Sequence, residues 1–250
     1  MNSAVRVEAL KLVRSLVGRT GTLALVLGVV ALLGGITAGI AGGNRQLIEQ
    51  AGAASTLDWD GLLAEAAQVI SVASLLTFGI VLAWMFGREF AEGTIVGLFA
   101  LPVSRAQISL AKFMVYLLWM SLASLALALS ILALGVIVGY GAPSADVWAG
   151  LARLWALSAL MGCVAAPTAW IATVTRSLLA GVASTIALVV IAQIGALAGA
   201  GGWMPLAAPA LWAMSNGTGI TPVQLVLSIC FGAVFVAATA MSWARLQLNR

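Results

Sequence analysis

The residues best suited to chemistry lie together in one polar stretch, residues 88–112, which reads REFAEGTIVGLFALPVSRAQISLAK. The chain has twelve basic and eight acidic residues. Five of these are in the polar stretch: Arg88, Glu89, Glu92, Arg105 and Lys112. Long hydrophobic runs flank it on both sides. The pattern predicts a charged segment between two membrane spans, exposed where another protein can hold it.

The composition disfavours several kinds of catalytic site. The chain has no histidine, and its two cysteines, Cys163 and Cys230, both lie in apolar runs. A disulfide framework, a zinc site and a Cys/His catalytic pair are therefore not expected. The only lysines are Lys11 and Lys112, and neither follows a glycine, so there is no phosphate-binding Walker loop. If ATP drives this protein, another chain must hydrolyse it.

Apolar residues make up 62% of the chain and charged residues only 8%. Because soluble domains carry about 25% charged residues, this composition indicates an integral membrane protein. At about 20 residues per spanning helix, the hydrophobic runs predict an all-α transmembrane domain over residues 1–250. Its six spans are predicted at residues 20–42, 68–86, 113–139, 151–173, 178–198 and 222–243.

Three further segments complete the predicted architecture. Residues 1–19 form an amphipathic pattern, with Glu8 and Lys11 on the polar arc, which predicts an interfacial helix whose basic face meets lipid headgroups. The apolar run after it is longer than a signal-peptide core, which favours an uncleaved span. Residues 88–105 are predicted to be a cytoplasmic coupling segment, and residues 199–221 a helical or re-entrant outer loop.

The distribution of basic residues predicts the orientation. Ten of the twelve fall on one predicted side: Arg6, Lys11, Arg14, Arg19, Arg88, Arg105, Lys112, Arg176, Arg245 and Arg250. Arg45 and Arg153 fall on the other. The positive-inside rule therefore places both termini and the polar stretch in the cytoplasm. We expect a multi-pass protein of a bacterial inner membrane.

Three pairs of glycines have the four-residue spacing that lets helices approach closely. They are Gly35/Gly39, Gly135/Gly139 and Gly195/Gly199. All three pairs lie toward the predicted outer ends of spans one, three and five. This pattern predicts tight helix packing near the outer leaflet, which would suit a transporter that is closed to the outside at rest.

Four residues inside the spans are candidates for a cargo path: Ser71, Thr77, Phe78 and Gln193. The hydroxyls can instead bond to their own helix backbone. A buried amide needs partners, so Gln193 either joins two helices or lines the path, and the sequence leaves both interpretations open.

The polar stretch resembles the signature of the type-2 ABC exporter permeases, the membrane subunits of one class of ATP-binding-cassette transporters. The matching residues are Arg88-Glu89, Glu92-Gly93-Thr94, Leu101-Pro102-Val103-Ser104-Arg105 and Lys112. In that family an acidic residue followed by Gly-Thr opens a short helix, and a Pro-Val-Ser-Arg-like turn ends it. We therefore expect Glu89 and Glu92 in the first turns of a coupling helix that ends at Pro102, with the chain re-entering the membrane after Lys112.

The resemblance implies that the coupling helix docks into a cleft of an ABC ATPase. It also implies two ATPase chains, a second permease subunit that is identical or paralogous, and ATP and Mg²⁺ bound by the ATPase alone. Membrane lipids are further partners, and no nucleic acid is expected. Uncharged spans favour an amphipathic or hydrophobic cargo, such as a drug, antibiotic, peptide or lipid, moved out of the cytoplasm or inner leaflet.

Two other functions remain open from the sequence. The chain could be a membrane anchor or assembly subunit that recruits an ATPase without moving cargo. It could also be an ion-coupled secondary transporter, although no ionisable residue falls near the middle of any predicted span, which disfavours proton coupling.

Overall fold

The computed structural model describes residues 2–95, 97 and 103–247, and within these residues all regular secondary structure is helical. The α-helices, in chain order, are α1 Asn2–Arg14, α2 Leu16–Ala41, α3 Arg45–Ala51, α4 Trp59–Ala91, α5 Arg105–Val138, α6 Ala145–Val164, α7 Pro167–Val174, α8 Leu178–Leu197, α9 Ala208–Met214 and α10 Pro222–Arg245. Two short 3₁₀ turns, Gly52–Ser55 and Gly201–Trp203, lie in the loops.

Six helical segments are long and apolar enough to cross a membrane: α2, α4, α5, the α6–α7 pair, α8 and α10. The predicted all-α fold with six candidate spans is confirmed. The helices that contain predicted spans two and three are longer than those spans. α4 has 33 residues, which at 1.5 Å per residue is about 50 Å, well beyond the roughly 30 Å hydrocarbon core. The ends of the polar stretch therefore lie on the extensions of α4 and α5.

α4 is the central helix, packed against α2, α6, α7 and α8. Glycine allows the closest of these approaches. A Cβ added at Gly87 of α4 would lie 2.7 Å from the Cα of Leu178, and one at Gly181 of α8 would lie 2.8 Å from the Cβ of Ala83. α4 and α8 are thus in near-backbone contact.

The predicted glycine pairs do not form such contacts within this chain. A Cβ at Gly35, Gly139 or Gly199 would meet nothing within 4 Å. Gly139 and Gly199 have φ values of 95° and 74°, which only glycine adopts freely, and they serve to end α5 and to follow α8. The other three each lie against one long side chain rather than a helix backbone: Gly39, Gly135 and Gly195.

The fourth span is broken, which the predicted continuous span at residues 151–173 did not anticipate. α6 ends at Val164, and α7 begins at Pro167. Proline has no N–H to donate, and its ring clashes with the carbonyl four residues earlier, here that of Cys163. Gly232 of α10 lies against the same carbonyl, so the break lies where two helices meet closely.

Residues 199–221 form short helical pieces, as the sequence predicted. α9 packs against α4 and α6. Ser228 of α10 donates a hydrogen bond of 2.8 Å to the carbonyl of Pro205, and Arg153 of α6 donates one of 2.9 Å to the side-chain oxygen of Asn216. The loop is therefore held against the helices on two sides.

Candidate functional site

The end of α4 differs from the expectation for the polar stretch. Glu89 was expected in the first turns of a separate coupling helix, but α4 continues through it and ends at Ala91. The N–H of Glu92 bonds to the carbonyl of Arg88 at 2.8 Å. Gly93 follows with φ of 67°, the left-handed conformation that ends many helices. Glu89 therefore belongs to the second spanning helix.

The other end of the polar stretch also differs. Ser104 is the N-cap of α5 and forms a capping box with Gln107, so α5 begins at Arg105 and the chain is helical well before Lys112. The Arg105 guanidinium donates a hydrogen bond to the carbonyl of Leu246, just after α10. Pro102, the predicted end of the coupling helix, lies outside the described residues, as do residues 96 and 98–101.

Four charged side chains from three helices meet where the two ends of the polar stretch come together. They are Glu8 and Lys11 of α1, Glu89 of α4 and Lys112 of α5, hereafter the charge cluster. Lys112 Nζ lies 2.8 Å from Glu8 Oε2 and 2.9 Å from Glu89 Oε1. Lys11 Nζ lies 2.9 Å from Glu8 Oε1 and 3.0 Å from Glu89 Oε1. Two carboxylates and two ammonium groups alternate, so the charges of the cluster balance.

Three members of the charge cluster are removed from solvent. The residues Glu89 and Lys112 are each 1% exposed and Glu8 is 5% exposed. The rings of Phe86 and Trp243 lie 6.0 Å and 5.9 Å from Lys112 Nζ. Removing one partner of such a buried pair costs about 3–5 kcal/mol, because the remaining charge is left uncompensated. The cluster therefore fixes α1, α4 and α5 relative to one another.

α1 is turned differently from the prediction. Of its polar arc, which was expected to meet lipid headgroups, Glu8 is buried and Lys11 half-buried, whereas Arg14 is exposed. Of its apolar arc, Leu10 and Val13 are exposed. The reason is the charge cluster, since Glu8 and Lys11 lie one turn apart and both reach Glu89 or Lys112. The sequence signal was the i, i+3 spacing of these two charges, whose partners are far away in the chain.

Lys11 has an environment that favours its charged form. Partial burial alone would lower its pKa, but hydrogen bonds and attraction from Glu8, and then from Glu89, outweigh that effect and hold the pKa of Lys11 above its usual value.

The charge cluster is linked directly to the polar stretch. Thr94, two residues beyond the end cap of α4, donates a hydrogen bond of 2.6 Å from its hydroxyl to Glu89 Oε2. Arg88 and Glu92 lie on the solvent side of the charge cluster and form an exposed ion pair of 3.0 Å. The Arg88 guanidinium also stacks on the ring of Trp84 at 4.7 Å. The predicted docking residues thus divide by exposure: Glu89 is buried and Arg105 half-buried, whereas Glu92, Gly93, Thr94 and Ser104 are exposed.

A comparison with known protein families identifies the family of this chain. The model of the family described as ABC-2 family transporter protein matches residues 4–193. This match spans more than half of the chain and includes all four residues of the charge cluster. The chain belongs to the ABC-2 transporter family. A search of curated proteins found no match. The resemblance seen in the polar stretch is confirmed, and membership assigns the chain the role of an ABC permease.

Within this ABC-2 permease, a second polar group was missed by the sequence interpretation. Ser158 of α6 accepts a hydrogen bond of 2.8 Å from Ser124 of α5 and lies 2.9 Å from the hydroxyl of Ser74 in α4. All three are 0% exposed. These hydroxyls join three spans, as interhelical hydrogen bonds do in membranes.

Two of the four candidate cargo-path residues come together. Ser71 of α4 and Gln193 of α8 line one cavity of about 250 Å³, with α9 closing one side. Phe78 lies elsewhere, buried against Tyr116 and Trp119 at ring distances of 6.5 Å and 5.5 Å. Thr77 lies near Gly21 of α2. The cavity walls are otherwise apolar, and among the described residues no group of His, Cys, Asp or Glu could hold a metal ion.

Proposed function

We propose that this ABC-2 permease is the membrane subunit of an ATP-driven exporter. A separate ABC ATPase would bind ATP and Mg²⁺, hydrolyse the ATP and dock on the polar stretch. Family membership supports the partnership. The sequence has no Gly-Lys pair and thus no Walker loop of its own.

The observation that carries the proposal is the bond from Thr94 to the charge cluster. A partner that grips residues 92–104 holds a segment whose first residues bond to Glu89 at 2.6 Å. Glu89 in turn bonds to Lys112 of α5 at 2.9 Å and to Lys11 of α1 at 3.0 Å. Because buried charges have few alternative partners, displacement of the gripped segment is passed to three helices together.

The assembly would contain two permease subunits, identical or paralogous, and two ATPase chains. Spans α8 and α10 support this arrangement, since only 17% of the most apolar 18 residues of each helix is buried within the chain, against 61% for α4. Their free faces are available to lipid or to a second permease. The proposed location is a bacterial inner membrane, with both termini in the cytoplasm.

An amphipathic or hydrophobic cargo fits the apolar walls around Ser71 and Gln193. A cavity of about 250 Å³ is lined mostly by hydrophobic side chains, and it offers one hydroxyl and one amide for orientation. This is the usual composition of small-molecule sites.

Co-purification with an ATPase tests the proposal. The permease is extracted from its native membrane with its associates, and bound ATPase activity is measured for wild type, Glu92→Lys and Gly93→Val. Both variants change exposed residues of the docking segment, and Gly93 has a φ of 67° that valine does not tolerate. Both should lose most of the bound ATPase. Glu49→Lys, on the exposed helix α3, is the matched charge-reversal control and should retain it.

The outcomes separate the candidate functions. Absence of any ATPase from the wild-type preparation contradicts the proposal, and uptake that depends on an ion gradient alone would indicate a secondary transporter. If the ATPase binds, but no amphipathic compound alters its turnover or crosses reconstituted vesicles, the chain is an anchor or assembly subunit.

A further inference from the structure

A second basic feature lies at the ends of α7 and α10, away from the charge cluster. A cavity of about 350 Å³ there, hereafter the arginine pocket, is lined by Arg176 and Arg245 together with Thr173, Ser242 and Gln247, besides two apolar residues. Among the described residues, none that lines the pocket carries a carboxylate. The pocket brings together two arginine residues that are 69 positions apart in the chain (245 minus 176).

The backbone positions Arg176 in an unusual way. It is one of two described non-glycine residues with positive φ, at 53°, a conformation that costs energy for a residue with a Cβ. It lies in the tight turn between α7, which ends at Val174, and the N-cap Ser177 of α8. Its guanidinium donates a hydrogen bond of 3.0 Å to the carbonyl of Gln247, which holds the side chain across the pocket toward the end of α10.

The two arginines have unused capacity for an anion. A guanidinium has five N–H donors in a planar fork that suits phosphate. Arg176 uses one on a neutral carbonyl. In the part of the chain that the structure describes, neither Arg176 nor Arg245 forms an ion pair with a carboxylate. The hydroxyls of Thr173 and Ser242 are neutral and donate to carbonyls of their own helices, so they do not neutralise the arginines.

The surroundings indicate a lipid rather than a free ion. Val174 lines the pocket and is 56% exposed, and Leu179, three residues beyond Arg176, is 79% exposed. An exposed apolar side chain in the lining and another within one turn of chain from Arg176, at the ends of two spans, match the boundary between acyl chains and headgroups.

We propose that the arginine pocket binds the phosphate of an anionic phospholipid, with the acyl chains against Val174 and Leu179. The site is independent of the exporter function, because it needs neither an ATPase nor a cargo. It would anchor the ends of spans four and six to the membrane surface on the side where the polar stretch lies.

Binding of a fluorescent phosphatidylglycerol to the purified full chain in neutral detergent micelles tests the proposal. Each arginine near an anionic surface contributes about fivefold in affinity. The double variant Arg176→Gln/Arg245→Gln should therefore bind about 25-fold more weakly at low salt. The matched control is Arg45→Gln, since Arg45 is also exposed but lies on α3, on the side predicted to face away from the arginine pocket. This control should bind as wild type does.

Competitors distinguish the sources of the phosphate. Excess phosphatidylcholine should compete poorly. Inorganic phosphate should not displace the lipid when the total ionic strength is held constant. Displacement by inorganic phosphate would overturn the lipid assignment, as would equal binding of phosphatidylcholine. If the double variant binds the lipid as wild type does but loses a co-purifying ATPase, the arginines form a protein contact, and the lipid assignment is overturned. If the double variant does not fold, Arg245→Gln alone, which removes no described hydrogen bond, is expected to weaken binding about fivefold.

Discussion

Lys112 is the residue on which the charge cluster depends. Its ammonium group is shared between Glu8 at 2.8 Å and Glu89 at 2.9 Å, and its residue is 1% exposed. Lys11 contacts the same two carboxylates, but its side chain is 28% exposed, so water can reach it. Loss of Lys112 therefore leaves two buried carboxylates to share one cation, Lys11, and leaves Glu8 Oε2 without an ammonium partner.

We expect Lys112→Met to lower the free energy of unfolding by about 3–5 kcal/mol, because it leaves an uncompensated buried carboxylate. The measurement is denaturant unfolding of the purified chain in mixed micelles. Met has a similar length and fills the same apolar surroundings of Phe86 and Trp243, so the loss reports charge rather than volume.

The double variant Lys112→Met/Glu89→Gln is the matched control. It removes one charge of each sign and leaves Glu8 paired with Lys11 at 2.9 Å. We expect it to recover a large part of the loss, since removing both partners of a buried pair is often nearly neutral. A double variant as unstable as Lys112→Met would show that the charge balance of the cluster does not govern stability.

How much of this site the sequence predicts is clear from its members. Glu89 and Lys112 could be selected because they are charges at the ends of two hydrophobic runs. Glu8 and Lys11 could not be joined to them, because the pairing spans 104 residues between Glu8 and Lys112, and no local pattern encodes it. A helical wheel put Glu8 on the polar arc of α1, but it could not indicate that this carboxylate is buried.

Among the helices, the length of a hydrophobic run predicts that a spanning helix is present better than it predicts where that helix ends. All six predicted spans fall on helices, because apolar runs of that length in a membrane must satisfy their backbone internally. The ends of α4 and α5 were missed, since helix continues beyond the apolar layer until a cap such as Gly93 or Ser104. The break of the fourth span was encoded by Pro167, but hydropathy alone does not register it.

Helix packing allows a comparison between Gly87, where the structure shows a close helix contact, and Gly35, where the sequence predicted one. We expect Gly87→Ala to destabilise the protein by about 1–3 kcal/mol, a usual cost of overpacking. The added Cβ would lie 2.7 Å from the Cα of Leu178, and a backbone atom cannot turn away as a side chain can. Thermal unfolding in detergent is the measurement.

Gly35→Ala is the control on α2, where the added Cβ would meet nothing within 4 Å. It should leave stability unchanged or raise it slightly, because alanine favours the helix. Equal losses at both positions would indicate that helix flexibility, and not the α4–α8 approach, is what the glycines provide.

For the whole molecule, the orientation in the membrane determines which surface an ATPase can reach. The charge cluster, the polar stretch and the arginine pocket carry most of the basic residues that were counted to one side. The structure adds a physical reason for their common position, since Arg105 at the start of α5 contacts the carbonyl of Leu246 after α10. Residues from the beginning, middle and end of the described chain are thus brought to the same end of the helix bundle.

Accessibility of single cysteines tests this orientation. In a background with Cys163→Ala and Cys230→Ala, Glu49→Cys lies on the exposed helix α3, and Glu92→Cys on the half-exposed end cap of α4. A membrane-impermeant maleimide should label the Glu49→Cys variant in intact cells. It should label the Glu92→Cys variant only after the membrane is opened, because ten of the twelve basic residues favour the cytoplasm on that side. Labelling in the reverse order would place the polar stretch outside, where no cytoplasmic ATPase could dock, and would contradict both the orientation and the exporter proposal.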